Sequence, residues 1–228
     1  MRIVIINGSH RMKGATGQTL RYIQEKLLEY NSTLEIEYID LCKYNPKFCT
    51  GCLVCYKTGT CFIKDDGLEE LSNTIANSDG LIIGSPTYAS NVSGQIKVLI
   101  DRGHFVFEQL LRDKACFSVI TFENVGGKAA QKVITDLIHL SGGAVSVKYN
   151  KRLTHGSNAI DEKAIKILNR GCKRFLKQIK KPIPLSLLER VLRNLIFNFG
   201  LKPHAIKNKS RYQAVINGWI TNGYMKPK

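Results

Sequence analysis

The sequence has no long hydrophobic run, and it is poor in acidic residues toward its end. None of its apolar stretches approaches the roughly 18 uninterrupted residues that a membrane-spanning helix needs. Its glycines follow no fixed period and its apolar content is an ordinary 43%, which excludes collagen-like, coiled-coil and disordered chains. The N-terminus lacks the basic segment and the cleavage site of a signal peptide, so we expect a soluble, cytoplasmic protein.

The scarcity of acidic residues makes the last third of the chain strongly basic. Residues 1–150 carry 16 basic and 15 acidic side chains, whereas the remainder carries 18 basic and 3 acidic ones. Such a segment can face nucleic acid, an anionic membrane surface or an acidic partner. Charged runs more often form a solvated helical face, and we favour that interpretation over nucleic-acid binding.

Apolar runs suited to buried strands alternate with stretches of helical period along residues 1–181. This alternation predicts an α/β domain built on a doubly wound sheet of five parallel strands. We expect strands at 2–6, 34–39, 80–84, 115–122 and 144–149, and helices at 19–30, 65–77, 92–111, 128–140 and 160–179. Residues 182–228 follow a proline-punctuated break and form a basic C-terminal extension, in which residues 184–199 have the period of an amphipathic helix.

The loop after the first predicted strand, residues 8–17, is rich in glycine, hydroxyl and cationic side chains. It immediately precedes a helix, whose unpaired N–H groups and dipole favour an anion at that point. A phosphate monoester suits this position, and an ordinary surface loop is the alternative. The spacing matches neither a Walker loop nor the GxGxxG turn of dinucleotide-binding proteins.

A second loop, residues 84–94, follows the third predicted strand. In a sheet of order 2-1-3-4-5 this loop faces the first one at the topological switch point, where flavodoxin-like proteins hold FMN. Tyr88 offers an aromatic wall and Pro86 a stiff turn beside backbone amides. The two loops together predict a flavodoxin-like fold more specifically than either loop alone.

A cysteine-rich loop, residues 42–61, carries the spacing C-x2-C-x2-C-x5-C at Cys49, Cys52, Cys55 and Cys61. Three thiolates at intervals of three residues and a fourth after a short loop suit a [4Fe–4S] cluster. A structural zinc site more often separates two cysteine pairs by about a dozen residues or more, and disulfides are unexpected in the cytosol. Unligated thiols are the alternative. The cysteines outside the pattern are interpreted as structural: Cys42, Cys116 and Cys172.

Residues 1–150 resemble the NAD(P)H-dependent FMN reductase family, through residues 8–11, 84–88, 92–95 and 100–102. The resemblance implies contacts with the FMN phosphate from Ser9, Arg11, Thr16 and Gly17. It implies contacts with the isoalloxazine ring from Pro86, Thr87, Tyr88, Asn91 and Ser93, and places Thr121 and Gly126 in a third flanking loop. His10 and Ala15 depart from the family's usual residues, so we expect one phosphate hydrogen bond to be missing.

The cysteine spacing resembles the iron–sulfur flavoproteins, a branch of this family in which such a motif binds a [4Fe–4S] cluster beside FMN. The resemblance implies that FMN takes a hydride from NADH or NADPH, or electrons from a reduced carrier. The electrons would then pass through the cluster to a small-molecule or protein acceptor. The resemblance also implies a homodimer or larger assembly.

Two other functions remain open at this point. The first is a cluster-free NAD(P)H-dependent FMN or quinone reductase, and the second is a flavodoxin-type electron carrier without substrate turnover. The adjacent Asp101 and Arg102 are interpreted as a helix-supporting ion pair. The histidines show no metal or nucleophile spacing and are assigned to packing or surface: His10, His104, His139, His155 and His204. We therefore expect no catalytic side chain, because the chemistry belongs to the cofactors.

Overall fold

A five-stranded parallel sheet forms the centre of the chain in a computed structural model, which describes residues 1–154, 156–180, 191 and 193–226. Its strands are β1 (Arg2–Asn7), β2 (Glu35–Asp40), β3 (Gly80–Pro86), β4 (Ala115–Phe122) and β5 (Ala144–Arg152). The observed order β2-β1-β3-β4-β5 confirms the predicted fold. Strand β3 is buried along its whole length because helices cover both faces of the sheet, whereas the edge strand β2 is half-buried.

Helices pack on the two faces of the sheet and bury two separate hydrophobic clusters. The helices of this domain are α1 (Ala15–Tyr30), α2 (Val54–Thr58), α3 (Leu68–Ala76), α4 (Gly94–Arg102), α5 (Gly127–Leu140) and α6 (Glu162–Lys180). Helices α1 and α6 cover one face, and α3, α4 and α5 cover the other. The charged residues of α6 are exposed opposite its apolar stripe, which agrees with the solvated-face interpretation of the basic residues there.

The helix predicted at 92–111 is wrong in its second half, because α4 ends at Arg102. Gly103 lies where a Cβ atom would meet the ring of Phe105 at 2.2 Å, and His104 has a φ of 57°. The chain therefore turns back sharply, and Phe105 is buried from a turn rather than from a helix. The apolar spacing beyond Gly103 reflected burial and not helical period.

The start of α3 also differs from the predicted helix at 65–77, because α3 begins at Leu68. Gly67 occupies the cap position with a φ of 71°, and a Cβ atom there would lie 2.9 Å from the Tyr44 ring. Asp66 accepts a long hydrogen bond of 3.4 Å from the amide of Leu68 but directs its other oxygen to Arg102.

The C-terminal extension packs on the domain through an aromatic cluster. Its described elements are a π-helix (Ile196–Leu201), α7 (Lys202–Lys207) and α8 (Gln213–Thr221). Half of the predicted helix at 184–199 lies outside the described residues, and so does His155. Tyr212 and Trp219 of the extension are buried against Tyr56 and Phe107 of the domain. None of the described helices has the length and apolarity needed to cross a membrane.

Candidate functional site

Three loops converge at the carboxyl ends of β1, β3 and β4. The amide of Gly8 donates to the carbonyl of Gly84 over 2.8 Å, and the hydroxyl of Ser93 donates to the carbonyl of Gly8 over 2.6 Å. The amide of Thr87 donates to the carbonyl of Thr121 over 2.9 Å. These bonds fix the three loops against one another at the switch point of the sheet, as the strand order requires.

The first loop folds closely over the N-terminus of α1. A Cβ atom on Gly17 would lie 1.9 Å from the carbonyl oxygen of Met12, so this backbone path requires glycine. The first turn of α1 has no side-chain cap and no acidic residue. Arg11 and Lys13 lie exposed beside it and form no ion pair within the described part of the chain. Together these features favour an anion at the helix terminus.

The hydroxyls of Ser9 and Thr16 are buried and already have protein partners. Ser9 donates to the carbonyl of Arg11 over 3.0 Å, and the hydroxyls of Thr16 and Thr121 are 2.7 Å apart. A phosphate at the start of α1 would therefore meet backbone amides and Arg11 before it met either hydroxyl.

The second loop presents a mixture of free and engaged groups. The hydroxyl of Thr87 is buried and has no hydrogen-bond partner among the residues that the structure describes, whereas Tyr88 is about half exposed. Tyr88 and Asn91 exchange two backbone hydrogen bonds across a tight turn. Ser93 is fully buried, and its hydroxyl caps α4 at the amide of Ile96. Its side chain therefore joins the two loops instead of facing a cavity.

The third loop is fitted against the second at Gly126. This residue has a φ of 87°, and a Cβ atom on it would lie 2.5 Å from the Cα atom of Ser90. Both the backbone conformation and the close approach require glycine here.

The four cysteines of the motif line one pocket at the opposite end of α4 from Ser93. Its further lining includes Tyr56, Phe62, Asp101, Arg102 and His104. All four thiols are free, and positive φ angles at Gly51, Leu53 and Gly59 curve the loop around them. Hydrogen bonds from the amide of Val54 and from Thr50 hold the pKa of Cys52 below its ordinary value.

Within the described residues, no group of three or more His, Cys, Asp or Glu side chains is arranged to hold a metal ion. The four thiols thus surround the pocket without converging on a point. A cluster of four irons is larger than one ion and takes its thiolates from further apart. By contrast, burial raises the pKa of Cys116 and that of Cys172 to about 12, which keeps both as thiols.

Two cationic side chains form the inner wall of the cysteine pocket. Arg102 is 3% exposed, forms a buried ion pair with Asp66, and has Nη2 3.4 Å from the sulfur of Cys61. Burial alone would lower the pKa of His104, but the nearby thiol of Cys55 and the carboxylate of Glu108, 3.1 Å from Nδ1, raise it to about 10.

The sequence reasoning missed both cations. The predicted Asp101–Arg102 pair is wrong, because Asp101 pairs with Lys97 instead. His104 was assigned to packing or surface, and no local pattern marks it as a wall of this pocket.

Residues 1–154 match the family model of the NADPH-dependent FMN reductases. The chain belongs to this family. An iron–sulfur flavoprotein of Clostridioides difficile strain 630 is 36% identical over 223 residues, which cover 98% of this chain and 99% of that relative. Another iron–sulfur flavoprotein, from Methanocaldococcus jannaschii, is 26% identical over 200 residues and covers 79% of this chain and 98% of its own.

Solved structures agree with this place in the FMN reductase family at the level of fold. An apo NADH:FMN oxidoreductase superposes with a TM-score of 0.54 at 20% identity, covering 76% of this chain and 87% of that one. Oxidised flavodoxin 1 of Bacillus cereus superposes with a TM-score of 0.55 at 17% identity, covering 78% of this chain and 98% of that one. The family match ends at residue 154, but the Clostridioides relative extends through the helical extension.

Proposed function

We propose that this protein is an FMN-dependent oxidoreductase that also holds a [4Fe–4S] cluster. NAD(P)H or a reduced carrier would be its donor, and a small molecule or a protein would be its acceptor. One observation carries the proposal: the three converging loops and the four-cysteine pocket lie at the two ends of the single helix α4, which is capped by Ser93 and ends at Arg102. A flavin held by the loops and a cluster held by the cysteines would therefore lie close together in one domain.

The residues of the three loops at the carboxyl ends of β1, β3 and β4 fit FMN. The uncapped first turn of α1, with Arg11 and Lys13 beside it, suits the phosphate group. The unpartnered hydroxyl of Thr87 gives a flavin edge a buried partner, and Tyr88 provides an aromatic surface next to it. Gly17 and Gly126 keep the backbone close enough for the loops to surround the cofactor.

The cysteine pocket fits a cluster in its donor set and its charge. Four thiolates would be a large negative charge to desolvate, and Arg102 supplies a compensating cation on the buried side, with Nη2 3.4 Å from the sulfur of Cys61. When bound, FMN would exchange a hydride with NAD(P)H and single electrons with the cluster. The chain's own contribution is to orient both groups and to limit the access of water to the inner wall.

Anaerobic purification followed by iron, sulfide and flavin analysis tests the proposal. We expect about one FMN, and about four iron and four sulfide per chain. Flavin absorption should bleach when NADPH or NADH is added. Cys52→Ser should lose most of the iron and retain the flavin, whereas the matched Cys42→Ser, outside the motif, should retain both.

A second candidate is a cluster-free FMN or quinone reductase. It is favoured by the finding that no described side chains are arranged to hold a metal ion. Flavin without iron in anaerobic wild-type protein would establish this alternative. A carrier without turnover would instead bind flavin and show no sustained NAD(P)H oxidation with any acceptor.

We also propose that the protein is a homodimer or larger, as the family resemblance implies. Light scattering during size-exclusion chromatography gives the mass directly. A mass near the 25.6 kDa of one chain would contradict the proposal.

A further inference from the structure

Arg102 joins the last turn of α4 to both flanks of the cysteine loop. Its Nη1 donates to the carbonyl of Lys47 over 3.0 Å and to the carboxylate of Asp66. Its Nη2 donates to the carbonyl of Ile63 over 3.0 Å and to the sulfur of Cys61 over 3.4 Å. Lys47 precedes the first cysteine of the motif and Ile63 follows the last one, so one guanidinium holds the two flanks of the loop.

Burying the charged side chain of Arg102 costs desolvation free energy, which a residue with only a structural role would not require. Arg102 is 3% exposed, and its Nε has no hydrogen-bond partner among the described residues. A buried ion pair contributes little net stability, and replacing both of its partners with apolar side chains of similar volume is often neutral or stabilising. Stability alone therefore does not explain why a cation is buried next to Cys61.

We infer that Arg102 is a positioning residue that holds the Cys61 sulfur in the pocket wall and sets the reduction potential of the cluster. This inference rests on the proposed function. A cluster gains one negative charge when it is reduced, and a nearby cation or an N–H···S hydrogen bond stabilises that charge. The donor to Cys61 thus favours the reduced cluster and raises its potential, as outer-shell partners of metal ligands commonly do.

The other charged groups around Cys61 do not remove this effect. Asp66 opposes it, but its carboxylate faces Nη1, whereas Cys61 faces Nη2. Glu69 accepts from the amide of Cys61 and not from its sulfur. Asp101 is exposed and paired with Lys97, and Glu108 lies 3.1 Å from Nδ1 of His104 and not against Cys61.

The test compares Arg102→Gln and Arg102→Lys with the wild type. Lys132→Gln is the matched control, because it also removes a positive charge but lies exposed on α5, paired with Asp136. Each protein is purified anaerobically with its cofactors, and its FMN, iron and sulfide contents are measured. The midpoint potential of the cluster is then obtained by an electron paramagnetic resonance titration.

We expect Arg102→Gln to shift the one-electron equilibrium about tenfold toward the oxidised cluster, which is about 59 mV more negative. Arg102→Lys should shift it less, because it keeps the charge but loses the fork that reaches Cys61. Lys132→Gln should not shift it. If Arg102→Gln does not fold, as judged by loss of bound FMN, the midpoint potential of the cluster in Arg102→Lys still tests the inference.

An unchanged potential in the loaded Arg102 variants would overturn this inference and leave the proposed function intact. An equal shift in Lys132→Gln would also overturn it, because the effect would then be general. A wild type that takes up no iron and sulfide would overturn the proposed function and this inference with it.

Discussion

At the scale of single residues, the carboxylate of Asp66 makes stability depend on pH. Burial alone would raise the pKa of Asp66, but hydrogen bonds from Arg102 and from two backbone amides hold it below its ordinary value. Its contribution to stability is therefore complete above the unfolded pKa of about 3.9 and is lost as the pH falls through the lower folded pKa. Asp66→Asn leaves Arg102 buried without its countercharge, so we expect it to lower the free energy of unfolding at pH 7 by about 3–5 kcal/mol.

Urea titrations at a series of pH values measure this difference. The difference in unfolding free energy between the wild type and Asp66→Asn should narrow as the pH falls below about 4, because the wild-type carboxylate also loses its charge there. The neighbouring Asp65→Asn is the control: Asp65 is exposed and pairs with Lys47, so its loss should have a much smaller effect. A penalty for Asp66→Asn that does not change with pH would contradict the ion-pair explanation.

At the scale of elements, the N-terminus of α4 connects local helix stability to the shape of the flavin loops. The Ser93 hydroxyl caps the helix and donates to the carbonyl of Gly8, and the Ser93 backbone amide donates to the hydroxyl of Ser85. We expect Ser93→Ala to lower the free energy of unfolding by about 1–2 kcal/mol, because a cap is lost and a buried carbonyl is left unpaired. It should also weaken FMN affinity, as measured by fluorescence titration of the apoprotein.

Ser72→Ala is a matched control for this effect. Ser72 is also a buried helical serine, but its hydroxyl bonds to the carbonyl of Leu68 within α3. It should change stability without changing FMN affinity. Wild-type FMN affinity in Ser93→Ala would show that the hydrogen bond to Gly8 does not maintain the site.

At the scale of the whole molecule, the C-terminal extension and the cysteine loop share one aromatic cluster. Trp219 is 1% exposed and donates to the carbonyl of Phe107 over 2.7 Å, and Tyr212 stacks on Tyr56 with ring centroids 5.3 Å apart. We expect Trp219→Ala to cost about 3–5 kcal/mol of unfolding free energy, the usual range for deleting a large buried aromatic. Because Tyr56 follows Cys55 in α2, the variant should also retain less iron.

Phe199→Ala provides the comparison within the same extension. Phe199 is 79% exposed, so truncating its side chain to alanine should leave the unfolding midpoint nearly unchanged. A wild-type midpoint for Trp219→Ala in denaturant melts would show that the extension unfolds separately from the domain.

The strands of the sheet and their order could be predicted from the sequence, but the side chains that form the inner wall of the cysteine pocket could not. Buried strands such as β3 are short apolar runs bounded by glycine and proline, so their number and order follow from local pattern and topology. The end of α4 could not be predicted in the same way, because the residues after Gly103 remain apolar while the backbone turns. The ion pair of Arg102 joins residues 36 apart in sequence, and no spacing rule pairs them.

The rigid path from Ser93 to Arg102 constrains how this protein can vary in length. An α-helix turns by about 100° and advances by about 1.5 Å for each residue, so one inserted residue in α4 would turn the guanidinium out of the cysteine pocket. Residues 57–60, just before Cys61, are exposed and include Gly59 with a φ of 85°, so this segment can absorb an insertion. Among natural relatives, we therefore expect the number of residues from Ser93 to Arg102 to be fixed, while the spacing before the fourth cysteine drifts.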